Sequence, residues 1–122
     1  MLKILIAEDE AFIANLYKEE LETHDTHVTI VENGRQAIDA LEKEKFDLVL
    51  LDLLMPVMDG YSVLSHLKEN KIRIPVVVVT TNLGQGITRD KCRQLGAEDF
   101  IVKSDVDASE MWQKIKIYLP VQ

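Results

Sequence analysis

The chain of 122 residues has a single cysteine, Cys92, which rules out a disulfide within it. No histidine or second cysteine stands beside Cys92 in RDKCRQLG, so it reads as an inert helix position rather than a reactive thiol. Basic residues are also scarce: 14 Lys and Arg face 21 Asp and Glu, for a formal net charge of -7 and a pI of about 4.9. Without a basic field the chain cannot gather phosphates along a nucleic-acid backbone, and no direct nucleic-acid binding is expected. No segment approaches the ~20 apolar residues of a membrane span. The start, MLKILIAEDE, turns acidic too soon for a signal peptide. No membrane association is expected, and a reducing, cytoplasmic setting fits best. No GxxxxGKS or GxxxxGKT occurs, which excludes a Walker nucleotide site. Nothing reads as a linker or low-complexity tract.

Hydrophobic residues make up 47% of the sequence. That is enough for one core, and the length is too short for two ordinary domains, so residues 1–122 are expected to form a single domain. Apolar runs of strand length recur at KILIA (3–7), HVTIV (27–31), FDLVLLD (46–52), PVVVVT (75–80) and DFIVK (99–103). Three are nearly continuous, the pattern of parallel strands covered on both faces. Between and after them lie segments with helical spacing: Ile13, Leu16, Tyr17 and Leu21; Ala37, Ile38 and Leu41 after the Asn33-Gly34 turn; Tyr61, Leu64 and Leu67; Ile87, Cys92 and Leu95; and Met111, Ile115, Tyr118 and Leu119. Parallel strands need crossovers, and each interval is long enough for a helix with short loops. The expected fold is α/β, a (βα)5 open doubly wound sheet. Gly84 and Gly86 fall near the start of the fourth helix. Each costs up to about 1 kcal/mol relative to Ala inside a helix, so a mobile region or a late start is expected there.

The strand ends are where the chemistry collects. In open α/β sheets, ligands bind at the carboxyl ends of strands where the strand order reverses. The first run ends in Glu8 and Asp9 and the third in Asp52. Two unit charges ~4 Å apart repel by about 4 kcal/mol at an effective dielectric near 20, so converging acids call for a cation. Mg²⁺, held by one or two carboxylates with water and phosphate oxygens, matches that donor set. The fourth run ends in Thr80 and the fifth in Lys103. A lone strand-end acid, threonine or lysine is ordinarily solvated. Jointly, the four ends supply a nucleophile, a metal site, a hydrogen-bond donor and a cation, the parts needed to move a phosphoryl group onto a carboxylate.

ILIAEDE, DLVLLDLLMPVMDG, PVVVVTT and GAEDFIVKS, in this order, resemble the receiver domain of two-component response regulators over essentially the whole chain. Asp52 with Met55-Pro56 and Asp59-Gly60 is the most specific element. The resemblance implies the CheY-like, flavodoxin-like strand order 2-1-3-4-5. It implies that Asp52 accepts a phosphoryl group from a sensor histidine kinase or histidine phosphotransfer protein. Mg²⁺ would be held by Asp9, by Glu8, often through water, by Asp52 and by the backbone carbonyl of Leu54. Thr80 and Lys103 would bind the phosphoryl oxygens, and Phe100 would fill the space behind Thr80 and report the switch. Through the face formed by the fourth helix, fifth strand and fifth helix, the domain would engage a downstream effector protein. It would act as a signalling switch, catalysing only its own phosphorylation and dephosphorylation.

Departures from the family pattern carry expectations of their own. Ser104 stands where proline usually follows the lysine, and a non-proline cis bond costs ~2.5 to 4 kcal/mol, so a trans loop is expected. Thr81 replaces the common alanine and could narrow access. Leu54 and Asn82 occupy the positions that tune hydrolysis in the family; Leu54 cannot orient water by hydrogen bonding, so slow self-dephosphorylation is expected. Phe100 lacks a hydroxyl and should favour an inward rotamer; a plain core aromatic is the alternative.

His24, His27 and His66 read as scattered surface histidines. Trp112 is a core anchor or part of a partner-facing patch. Arg89, Lys91, Arg93, Asp99, Lys114 and Lys116 form a solvated face that could also support a phosphorylation-dependent homodimer. Two rival functions remain. A degenerate receiver would serve only as an interaction module. A haloacid-dehalogenase-type phosphatase also forms an aspartyl phosphate, but it carries a second acid where this chain has Leu54. The last helix ends near IYLPVQ, leaving no room within these residues for a DNA-binding domain.

Overall fold

Five strands, β1 (Leu2–Ala7), β2 (Thr26–Val31), β3 (Leu48–Asp52), β4 (Val76–Thr81) and β5 (Asp99–Val102), pair in parallel in the order β2-β1-β3-β4-β5. They alternate with α1 (Ala11–Leu21), α2 (Gly34–Lys43), α3 (Gly60–Glu69), α4 (Gly86–Gln94) and α5 (Ala108–Ile115). This computed structural model describes residues 1–72, 76–82 and 86–120, with backbone only at 86 and 87. The expected (βα)5 sheet and strand order are therefore found. Pro75, Gly84 and the Ile87 side chain lie outside the described residues.

Successive side chains of a strand face opposite sides of the sheet, and this period of two divides the core in two. Leu5, Ala7, Val49, Leu51, Val77, Val79 and Phe100 pack with α2, α3 and Cys92 of α4. Ile4, Ile6, Leu48, Leu50, Val78 and Ile101 pack with α1 and α5. Full burial of such a side chain contributes about 1.5–3 kcal/mol, so both layers are strongly held. Continued past the strands, the second set of rows ends in Glu8, Asp52, Thr80 and Lys103. The four polar ends thus emerge on one side of the sheet, and Asp52 and Thr80 are direct register partners.

Helix starts are fixed by local chemistry. The Asn33 side chain accepts from the Gln36 N–H, the Asp59 side chain accepts from the Ser62 N–H, and Asp107 and Glu110 form a reciprocal capping box. Several boundaries differ from the sequence reading. Leu16 was expected in the buried stripe of α1 but is 43% exposed, as is Phe12 at 76%. At 3.6 residues per turn Leu16 lies about 100° from Tyr17, and the stripe is instead Ala14, Tyr17 and Leu21. The last helix stops at Ile115 and passes into a 3-10 turn, Lys116–Tyr118. Pro120 disfavours helical backbone at Leu119, which is extended yet still buried. β5 ends one residue early, and Lys103 opens a 3-10 turn.

The β3–α3 loop is tight. Met58 N–H donates to the Pro56 carbonyl at 2.7 Å, closing a three-residue turn with Val57 at φ 67°. A β-branched residue in this region is strained. Gly60 packs its backbone against the end of β3, and a Cβ there would sit 2.5 Å from the Asp52 carbonyl oxygen. Urea unfolding should show Gly60→Ala losing about 1–3 kcal/mol through overpacking. Val57→Gly, at an 82% exposed position, should match or exceed the parent. Equal stability of parent and Gly60→Ala would contradict the close approach.

Candidate functional site

β1 and β3 are adjacent although β2 intervenes in sequence, so their carboxyl ends lie side by side at the point where strand order reverses. There Glu8, Asp9 and Asp52 each place one carboxylate oxygen within 4.8 Å of the others. Glu8 is 2% exposed and Asp52 3%, whereas Asp9 is open to solvent. Lys103 reaches in from the end of β5, its Nζ donating to Glu8 Oε1 at 2.7 Å and to Asp52 Oδ2 at 3.0 Å, with a nearly buried side chain. The other oxygen of each acid accepts from a backbone N–H, that of Glu10 to Glu8 and that of Leu54 to Asp52, each at 3.2 Å. One cation and two backbone donors therefore serve two of the three carboxylates, Glu8 and Asp52.

Burial pushes the Glu8 carboxyl up to about 7. The hydrogen bond from Lys103 opposes that rise and the neighbouring Asp52 charge adds to it. Burial pulls the Lys103 ammonium down, but its bonds to Glu8 and Asp52 outweigh this and its pKa ends above the ordinary lysine value. Tyr17 of α1 is buried close enough to feel these charges, and burial raises its phenol. Its closeness to the acids is something helical spacing alone did not reveal, since spacing assigned it only to the core.

Thr80 is buried beside Asp52 on β4. Leu54 is 58% exposed at the mouth, with no polar atom in its side chain to hold water. Phe100 is buried, as an inward ring requires, with the Arg89 guanidinium 5.0 Å from its centre. No cis peptide occurs among the described residues, so Lys103 reaches both acids with a trans bond to Ser104. The donor set around Glu8, Asp9 and Asp52 is all oxygen, with one member open to solvent. That chemistry fits a hard divalent cation of the Mg²⁺ type. The histidines lie apart from this cluster. His24 is not a plain surface residue: its ring stacks on Trp112 at 4.2 Å and 5°, and it bonds Glu20. Trp112, half-buried against the α1–α5 core, serves as an anchor there.

The family model described as "Response regulator receiver domain" matches residues 4–116. The transcriptional regulatory protein PcoR of Escherichia coli is 31% identical over 121 residues, covering 98% of this chain and 52% of that protein. The chain spans about half or less of the length of the first curated relatives it matches. Among solved structures, the signal receiver domain of a putative LuxO repressor protein from Vibrio parahaemolyticus superposes with a TM-score of 0.88 at 32% identity, covering 96% of this chain and 88% of that one. The BeF3-activated N-terminal receiver domain of RstA from Klebsiella pneumoniae gives 0.87 at 27%, covering 98% and 99%.

A raised acid binds its proton more tightly in the folded state than in the unfolded one. The stability that Glu8 lends metal-free protein is therefore full below about 4.5 and is lost as pH rises through about 7. Urea unfolding at pH 5 and 8 should show the parent losing more stability on this rise than Glu8→Gln does. Parallel pH profiles for the two proteins would contradict the assignment.

Proposed function

Because the chain belongs to the response regulator receiver domain family, whose members act as signalling switches, we propose that Asp52 is its phosphoryl acceptor. The observation that carries this reading is the Glu8–Asp9–Asp52 cluster, two of whose carboxylates share the Lys103 ammonium at the carboxyl end of the sheet. A carboxylate oxygen of Asp52 attacks the phosphorus of a phosphohistidine on a sensor kinase or histidine phosphotransfer protein. The P–N bond breaks, its electron pair stays on the imidazole nitrogen, which takes up a proton, and the new P–O bond is an acyl phosphate. Bound Mg²⁺ would supply charge neutralisation of the phosphoryl oxygens, held by Asp9, Glu8, Asp52 and the Leu54 carbonyl.

The chain's own groups supply position and charge. Lys103 releases one carboxylate contact and takes up a phosphoryl oxygen. Thr80, already beside Asp52 in register, donates its hydroxyl to another. Its inward movement opens space behind it for Phe100, which couples the site to α4, β5 and α5. That face then engages a downstream effector, with a second copy of this chain as the alternative occupant. On this reading residues 1–122 work as one receiver unit in the cytoplasm, and the only catalysis is gain and loss of their own phosphoryl group. Among the described residues no helix is long and apolar enough to cross a membrane.

Incubation with acetyl phosphate and Mg²⁺, followed by intact mass, should add one phosphoryl group to the parent and none to Asp52→Asn or to an EDTA-treated sample. A parent that gains no mass, and that shows no beryllofluoride binding either, would instead be an interaction module of the degenerate kind. Turnover of a phosphate ester would favour the phosphatase reading.

A further inference from the structure

The phosphoryl scheme gives no part to Tyr17, although this tyrosine is only 7% exposed and its phenol feels the charges of Lys103, Glu8 and Asp52. Tyr17 packs in the layer that holds Ile6, Leu50, Val78 and Ile101. Those four residues stand two before Glu8, Asp52, Thr80 and Lys103 in sequence, so they form the last apolar row before the polar strand ends. Side chains of a helix lean toward its N-terminus, and α1 begins at Ala11, two residues after Asp9. The Tyr17 ring is therefore carried toward the acids rather than away from them.

Packing alone asks only for an apolar body at this position, which phenylalanine would supply. A buried tyrosine hydroxyl normally finds a partner. Among the described residues no hydrogen bond reaches the Tyr17 hydroxyl, and no fully buried side-chain oxygen or nitrogen lacks a partner. The hydroxyl therefore keeps a narrow opening to water at the edge of an otherwise dry layer. Lys103 shows the complementary feature. An ammonium has three N–H donors, and two of these are spent on Glu8 and Asp52. Its side chain is 7% exposed, so bulk water has little access to the third. Of the charges that Tyr17 feels, that of Lys103 acts most strongly. A donor without an acceptor and an acceptor without a donor thus lie near each other, beyond direct hydrogen-bond reach, the arrangement that a single water bridges.

We propose that Tyr17 is a positioning residue for Lys103, its phenol oxygen holding one water that accepts from the third N–H of the ammonium. The proposal rests on the receiver reading and deepens it. When Lys103 gives up a carboxylate to take a phosphoryl oxygen, this water is the anchor that stays. The ammonium then pivots about a fixed point instead of having to be placed anew, which is how a preorganised charge favours transfer.

The test uses the isotope-labelled full chain and Tyr17→Phe, which keeps the buried ring and removes only the hydroxyl. Lysine ammonium NMR in cold, mildly acidic solution reads hydrogen exchange at Lys103, whose resonance is identified by its loss in Lys103→Arg. Ammonium exchange is expected to be about tenfold faster in Tyr17→Phe than in the parent, the effect of losing one charge-assisted hydrogen bond. Phosphoryl uptake from acetyl phosphate at saturating Mg²⁺, followed by intact mass, is expected to be slower by about the same tenfold factor. Tyr61→Phe, which removes a hydroxyl elsewhere, should change neither, and circular dichroism confirms that the variants fold. Equal ammonium exchange in the parent and Tyr17→Phe overturns the proposal, as does a parent whose Lys103 gives no slowly exchanging signal. Faster exchange with unchanged uptake overturns it too, because the anchor would then play no part in transfer. A parent that takes up no phosphoryl group removes the phosphoacceptor role instead, and ammonium exchange alone then decides whether Tyr17 holds Lys103.

Discussion

The Lys103 ammonium, shared between the buried carboxylates of Glu8 and Asp52, is the contact on which the site depends. Two buried acids this close cannot both stay ionised without compensation, since desolvation costs several kcal/mol per ion and their repulsion adds to it. The protein answers in two ways at once. Lys103 and two backbone N–H groups stabilise the anions, and Glu8 is pushed up to about 7 so that it can hold a proton. Three carboxylates against one ammonium leave a surplus of negative charge, and this surplus makes the cluster receptive to a divalent cation and to chemistry at Asp52.

The sheet makes that contact unavoidable. Parallel pairing in the order β2-β1-β3-β4-β5 sets the ends of β1 and β3 together and adds those of β4 and β5. Alternation along each strand puts Glu8, Asp52, Thr80 and Lys103 on one side. Gly60, pressed against the carbonyl of Asp52, keeps α3 close to Asp52, and the strained turn at Val57 fixes the loop between them. The opposite side of β5 carries Phe100, so one strand joins the acid cluster to a groove between α4 and α5.

Much of this was legible in the sequence because burial on both faces writes itself as continuous apolar runs, and each run of this chain stops on a polar residue. FDLVLLD and VVVVTT located Asp52 and Thr80 without further help, and Lys103 followed from FIVK. What was not legible depends on three-dimensional approach. Leu16 fits an apolar pattern, yet a rotation of about 100° turns it outward. His24 carries no sign in its neighbours that Trp112, far along the chain, will stack on it. Nor can spacing tell that Lys103 bonds both acids, or that Asp99 is held by Tyr118 and so withdrawn from the charge of its face.

The central claim is that the three acids form one hard-cation site whose charge Lys103 only partly balances. Calorimetric titration of metal-free protein with Mg²⁺ at about pH 6, in two buffers of different ionisation enthalpy, tests it most directly, because metal binding to a protonated ligand must release the proton. The account predicts a single site that releases protons, owing to Glu8, and that is lost in both Asp9→Asn and Asp52→Asn. Binding that survives both substitutions, or that proceeds without proton release, would contradict it.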